Sequence, residues 1–216
     1  MKRLAPSLLA LSVLSSLASP GHATPIHSLG DQDPDAFGFS TNNIFFGNSR
    51  GWRFTATTDD LLVTQLGIAP VTSGSFTLSL WDFAGQSLLA QTTLGNVVGG
   101  EWNWGDLNSG VQLQSGMDYL VMGIGNDPGA TYYFGSGLPA SWYPSNEISY
   151  VEMRYCNGCN ANSFPTNTLS GYQYGLVDIG YERSIPSQNA VPEPSSLALI
   201  GLGLGLLVAG AARRRR

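Results

Sequence analysis

The 216-residue sequence sets ten Lys and Arg against fifteen Asp and Glu, a formal charge of −5, with 27 glycines and 11 % aromatic residues. That length gives room for one or two domains, and the two ends of the chain leave one between them. So acidic a balance argues against nucleic acid and anionic lipid heads as partners.

Residues 1–23 read as a secretory signal peptide. Lys2 and Arg3 precede a 14-residue apolar run from Leu4 to Leu17, and Gly21 and Ala23 put small residues three and one positions before a cut. The run is shorter than the roughly 20 residues a spanning helix needs, so cleavage by signal peptidase after Ala23 is expected rather than retention as an anchor. The exported portion, residues 24–190, then holds Arg50, Arg53, Arg154 and Arg183 against fourteen carboxylates, a formal charge of −10.

Asp31, Asp33 and Asp35 stand at alternate positions, an arrangement that suits calcium. The EF-hand pattern fails, because Ala36 stands where glycine is needed and Asn42 where the bidentate glutamate belongs. A solvated acidic loop is expected, with structural calcium as the alternative and no other cofactor implied. These carboxylates, with Asp59 and Asp60, can also supply a glycosidase pair, but spacing along a chain does not fix separation in space. Gly47-Asn48-Ser49-Arg50-Gly51 fits the nucleophile-elbow pattern, which needs a strand-to-helix turn and a histidine base. His27 is the one histidine of the exported portion and precedes the serine, so a polar loop between strands is expected there instead.

From residue 52 the chain reads as short strands at residues 52–57, 61–68, 75–82, 87–94, 101–107, 119–125, 131–134, 148–155 and 172–182. Phe76, Leu78 and Leu80 alternate with Thr77 and Ser79, the period of a half-buried strand. No window of residues 24–190 supports a long amphipathic helix. Many short strands joined by Gly, Asn, Asp and Ser predict an all-β fold, a jelly-roll-like β-sandwich.

Trp102 and Trp104 alternate in Glu101-Trp102-Asn103-Trp104-Gly105-Asp106, so on a strand both point to one face. Tyr132, Tyr133, Trp142 and Tyr143 add rings in nearby loops. Aromatic rings offer apolar faces to sugars while adjacent Asn, Asp and Glu bond hydroxyls, which makes Trp102, Trp104, Trp142 and Tyr143 candidate glycan contacts. Rings of this kind also fill sandwich cores, as Trp81 is expected to, and that alternative stands beside the first.

Cys156-Asn157-Gly158-Cys159 holds the two cysteines, and in an oxidising compartment they are expected to form a disulfide. Asn-Gly favours a tight reversal that sets them opposite each other on a hairpin. A redox pair would want the first cysteine at a helix N-terminus, and zinc would want two further ligands where His27 alone is on hand, so no metal is assigned.

Val191-Pro192-Glu193-Pro194 is followed by an 18-residue uncharged stretch, Ser195 to Ala212, and then by Arg213, Arg214, Arg215 and Arg216. As a helix the stretch is about 27 Å long, close to the roughly 30 Å hydrocarbon core of a bilayer. The prolines forbid helix before Ser195, and the arginines are expected to stay cytoplasmic as a membrane stop.

Pro192-Glu193-Pro194-Ser195-Ser196, the Leu- and Gly-rich stretch and the arginine cluster together resemble the PEP-CTERM sorting signal over residues 191–216. The resemblance implies recognition by an exosortase, a membrane cysteine transpeptidase that cuts near the Pro-Glu-Pro and passes the protein to the cell envelope. It also implies a Gram-negative bacterium that makes exopolysaccharide and biofilm. A rigid, extended Pro-Glu-Pro at the membrane surface can reach a protease groove where a helix could not. The order of segments from Gly51 to Phe134 is similar to β-sandwich domains of PEP-CTERM proteins, through Leu66-Gly67, Leu80-Trp81-Asp82, Leu88-Leu89-Ala90-Gln91-Thr92 and the Leu113, Gly116, Tyr119 spacing. Those domains bring no settled activity.

The expected protein is non-enzymatic, anchored in the inner membrane before processing and then sorted to the envelope or outside. It is expected to associate with exopolysaccharide or other biofilm matrix. The alternatives are a structural or adhesive surface protein with protein partners, and a secreted carbohydrate-active hydrolase, which requires two carboxylates converging in a cleft.

Overall fold

The computed structural model describes residues 24–29, 34, 40–136, 146–174 and 176–183. The segment expected to be a signal peptide, Asp31, Asp33 and Asp35, and the whole segment from Val191 to Arg216 lie outside the described residues. Among the described residues no helix is long and apolar enough to cross a membrane.

In chain order the strands are β1 (Ile26–His27), β2 (Ser40–Ile44), β3 (Asn48–Ala56), β4 (Leu61–Ala69), β5 (Gly74–Asp82), β6 (Ser87–Val97) and β7 (Asn103–Gln112). There follow β8 (Asp118–Gly125), β9 (Thr131–Ser136), β10 (Ile148–Asn157), β11 (Asn167–Thr168), β12 (Tyr172–Tyr174) and β13 (Leu176–Arg183). They form a four-stranded sheet, β1-β13-β4-β7, a six-stranded sheet, β11-β10-β3-β8-β5-β6, and a three-stranded sheet, β12-β9-β2. Take only β1, β3 to β8 and β13. The first of these eight lies beside the eighth, the second beside the seventh and the fourth beside the fifth, the winding of an eight-stranded jelly roll. The expected all-β sandwich is therefore present, and β10 extends it beyond β3.

The two large sheets face each other through the alternating apolar positions. Trp52, Phe54, Phe76, Leu78, Leu80 and Val121 project from one sheet and Leu66, Ile68, Val177 and Ile179 from the other, all in one buried cluster. Trp52 crosses the gap and donates its indole N–H to the Val177 carbonyl at 2.7 Å. Gly123 marks a close approach: a Cβ there would lie 2.7 Å from Val177 Cγ1.

Trp81 is buried as expected, but outside this core. It packs with Leu120 and Met122 on the outer face of the six-stranded sheet, under Phe83 and Phe164. The same face carries a charged network. Arg53 pairs with Asp118 and Glu152, Arg154 pairs with Glu152, and both guanidinium groups lie over the Phe83 ring. Burial pushes the Asp118 carboxyl up, but donors from Thr55 and Arg53 outweigh it and hold it below the usual carboxylate range.

Two local expectations are corrected. The Gly-x-Ser-x-Gly segment is not a loop: Gly47 turns at φ 66° and Ser49 to Gly51 run inside β3, which pairs with β8 and β10. An elbow needs a following helix, so the motif has no nucleophile geometry. Cys156 and Cys159 are disulfide-bonded, but not across a hairpin. Strand β10 continues through Asn157, Gly158 turns at φ 70°, and the returning strand β11 pairs with Arg154 and Tyr155 only from Asn167. Tertiary contact decides this, since the Cys159 amide bonds to the Gly47 carbonyl at 3.1 Å.

Strand β1 is too short to hold itself, and one buried group fixes it. Asp178 on β13 is fully buried; it accepts the Ser28 hydroxyl and, at 2.8 Å, the Leu29 amide. Burial pushes its carboxyl up to about 7, against the Ser28 hydroxyl and the amides of Leu29, Ile179 and Ser28. The folded chain thus holds this proton more tightly than the unfolded chain does. The stability it confers is complete below about pH 4 and is lost as pH rises through about 7. Thermal unfolding is expected to move to lower temperature between about pH 4 and pH 7, with a slope of up to about 1.4 kcal/mol per pH unit, and Asp178→Asn to flatten it.

Candidate functional site

The outer face of the four-stranded sheet brings together residues from all four of its strands. His27 stands on the β1 edge and Trp104 on the β7 edge, three strand spacings apart, or about 14 Å between backbones. Their rings nevertheless stack, with centroids 3.6 Å apart and planes within 7°. They can meet because the strands between them present glycine: Gly67 faces Trp104 and Gly180 faces His27 in the strand register. Trp102, just before β7, stacks on Trp104 at 5.6 Å and 22°. All three rings are partly exposed.

Gly67 is the tightest point. A Cβ there would lie 2.5 Å from two Trp104 ring carbons. Gly67→Ala is expected to cost about 1–3 kcal/mol or to drive the indole off the sheet, and in either case to reduce the near-ultraviolet circular dichroism of the stack. Gly95→Ala is the control, since a Cβ at Gly95 meets nothing within 4 Å.

A groove of about 500 Å³, lined in part by Gln65, lies beside the stack. His27 Nε2 lies 3.4 Å from Gln65 Oε1, and Gln65 Nε2 donates to Asp106 Oδ1 at 2.7 Å. Beyond Gln65 the groove has an apolar floor in Pro25, Leu62 and Leu107 and polar walls in Thr64, Asp106, Asn108, Ser109 and Glu182. The irregular register at Val63/Gln65 on β4 and at Gly180/Tyr181 on β13 aims Gln65 and Glu182 outward beside one another's strands. An apolar floor and a hydroxyl-bonding rim, with aromatic rings beside them, suit a ligand with alternating apolar and hydroxyl surfaces.

Of the residues expected from sequence, the structure brings Trp102 and Trp104 together on one face, but as a stack and not as two separate open faces. Trp102 lies outside the strand expected at residues 101–107, which begins at Asn103. Trp142 and Tyr143 lie outside the described residues. Tyr132 and Tyr133 are not loop rings; both are buried in β9, and Arg50 lies over Tyr132 at 4.9 Å. Asp59 accepts the Ser115 amide and so ties its loop to the turn between β7 and β8, while Asp60 accepts the Thr58 hydroxyl within its own loop. The carboxylates that do share a groove are Asp106 and Glu182. Asp106 is exposed and accepts a hydrogen bond from Gln65. Among the described residues no three of His, Cys, Asp and Glu gather as a metal site. His27, Gln65, Gly67 and Gly180 were not anticipated from sequence; lone glycines inside apolar strands are the signal that marks such a close approach.

Fold and site together define a β-sandwich whose four-stranded sheet carries a ring stack and a groove side by side. Residues 190–216 match the family model described as the PEP-CTERM protein-sorting motif. No curated protein matches the chain. The matched motif implies an exported, membrane-associated protein processed by an exosortase.

Proposed function

We propose that this protein is an exported, non-enzymatic component of the cell envelope whose jelly roll binds extracellular polysaccharide of the biofilm matrix. In this reading signal peptidase removes residues 1–23, and residues 195–212 hold the chain in the inner membrane. An exosortase then acts near Pro192, Glu193 and Pro194, and Arg213, Arg214, Arg215 and Arg216 remain on the cytoplasmic side. The observation that carries the binding assignment is the His27–Trp104–Trp102 stack beside a polar-rimmed groove, to which His27 is joined through Gln65. Sugar rings have apolar C–H faces that pack on aromatic surface and hydroxyls that replace water on side chains such as Gln65, Asn108 and Ser109.

The test is retention of the full chain, purified in a non-glycosidic detergent, on immobilised neutral and charged polysaccharides. Retention on at least one is expected, and passage through all of them contradicts the assignment. The sorting step is tested separately. With Pro192, Glu193 and Pro194 all replaced by alanine, full-length protein is expected to accumulate in the inner membrane by cell fractionation and immunoblot. Unchanged release would show that processing does not depend on the motif.

A further inference from the structure

The charge of the groove narrows the class of sugar, on the reading just given that this face binds polysaccharide. Asp106 and Glu182 both line it, and no Lys or Arg among the described residues does. The cations of the described residues are committed elsewhere. Arg50 is bonded to Asn157 and to the carbonyls of Ser49 and Cys156, Arg53 to Asp118 and Glu152, Arg154 to Glu152, and Arg183 to Glu147. Among the described residues no ion pair neutralises either groove carboxylate. Beyond Gln65, next to the groove, stand two partly exposed indoles, a ring type that attracts cations. Carboxylate wall and indole stack thus favour the same ligand charge, and the formal −10 of the exported portion opposes the opposite one.

We propose that the groove is selective for polysaccharide carrying free, protonated amino groups, a partly de-N-acetylated hexosamine polymer, over neutral N-acetylated sugar and over uronate polymer. An ammonium group in place of an acetamide donates charge-assisted hydrogen bonds to Asp106 or Glu182. The hydroxyls and ring C–H faces use the rest of the groove in either case. Each carboxylate is partly exposed, so each contributes up to about fivefold in affinity, not orders of magnitude.

The experiment is isothermal titration of the full chain in a non-glycosidic detergent with glucosamine, N-acetylglucosamine and guluronate oligomers of equal length, at a pH where the amines are protonated. The expected order is glucosamine tightest, N-acetylglucosamine about tenfold weaker and guluronate without measurable binding. Asp106→Asn with Glu182→Gln is expected to remove the preference for the amino sugar over the N-acetylated one. The isosteric amide at position 106 still accepts from Gln65. About 1 M salt, where the screening length is about 3 Å, is expected to remove the preference as well. Trp104→Ala keeps every charge, so it separates this site from general attraction of a polycation to an acidic surface: glucosamine binding is expected to fall with the ring removed. Undiminished binding in Trp104→Ala overturns the proposal. So does equal affinity for the two hexosamine oligomers, or a preference that survives the double substitution. N-acetylglucosamine binding that depends on Trp104 without any amine preference refutes the selectivity and leaves polysaccharide binding standing. No binding of any oligomer refutes both.

Discussion

Trp104→Ala is expected to weaken polysaccharide binding at least about thirtyfold while the jelly roll remains folded. The indole is the middle member of the stack, with His27 on it at 3.6 Å and Trp102 at 5.6 Å. Removing it takes away the His27–Trp104 stack and uncovers Gly67 beside the groove. Centrally placed tryptophans typically contribute 2 kcal/mol or more to an interface when truncated, which corresponds to about thirtyfold. The cost to stability should be small, because the ring lies outside the sandwich core and is partly exposed. Titration calorimetry measures the first quantity and urea unfolding the second. Wild-type binding by a folded Trp104→Ala variant would remove the stack from the site.

The second large effect is on stability. Trp52→Ala is expected to cost about 3–5 kcal/mol for the lost ring, with a further contribution because the Val177 carbonyl loses its inter-sheet donor. Domains of this size are stable by only about 5–15 kcal/mol, so the variant should lose a large share of its stability. Trp52→Phe keeps a ring beside Phe54, whose centroid is 5.1 Å away, and should lose appreciably less. Trp81 is the instructive contrast. It is nearly as buried, but its indole N–H bonds to Ser79 on its own strand and its ring covers only the outer face. Trp81→Ala should loosen the segment around Phe164 and spare the sandwich. Equilibrium urea curves for the two variants, with equal losses, would contradict the placement of Trp52 at the inter-sheet contact.

The strands most legible in the sequence are those with period-two alternation, such as Phe76, Leu78 and Leu80, because burial on one face is written directly into them. Strands β1, β2 and β11 were not legible. Ile26–His27 and Asn167–Thr168 are two residues each, and Ser-Thr-Asn-Asn-Ile reads as a loop. Pairing with a neighbour makes them strands, not local preference. The small sheet containing β2 went unseen for that reason, and so did the turn at Gly158, where contact with Gly47 overrides the Asn-Gly signal.

For the site, the Trp-Asn-Trp spacing showed which rings share a face, but not what else stands there. His27 and Trp104 are 77 positions apart, and only the order β1-β13-β4-β7 sets them on opposite edges of one sheet. Gln65, Asp106 and Glu182 meet for the same reason. Asp178 left a usable trace, since a lone carboxylate inside Leu-Val-Asp-Ile-Gly-Tyr either disrupts a strand or is buried with partners. Its partners, Ser28 and Leu29, could be found only from the fold.

The most direct measurement is a heteronuclear NMR titration of the protein with a soluble hexosamine oligosaccharide. Saturable shifts confined to the indole N–H groups of Trp102 and Trp104, the His27 ring, the Gln65 and Asn108 side-chain amides and nearby backbone are the expected result. Shifts centred on any other face, or none at saturating sugar, would contradict the placement of the binding site on the outer face of the four-stranded sheet.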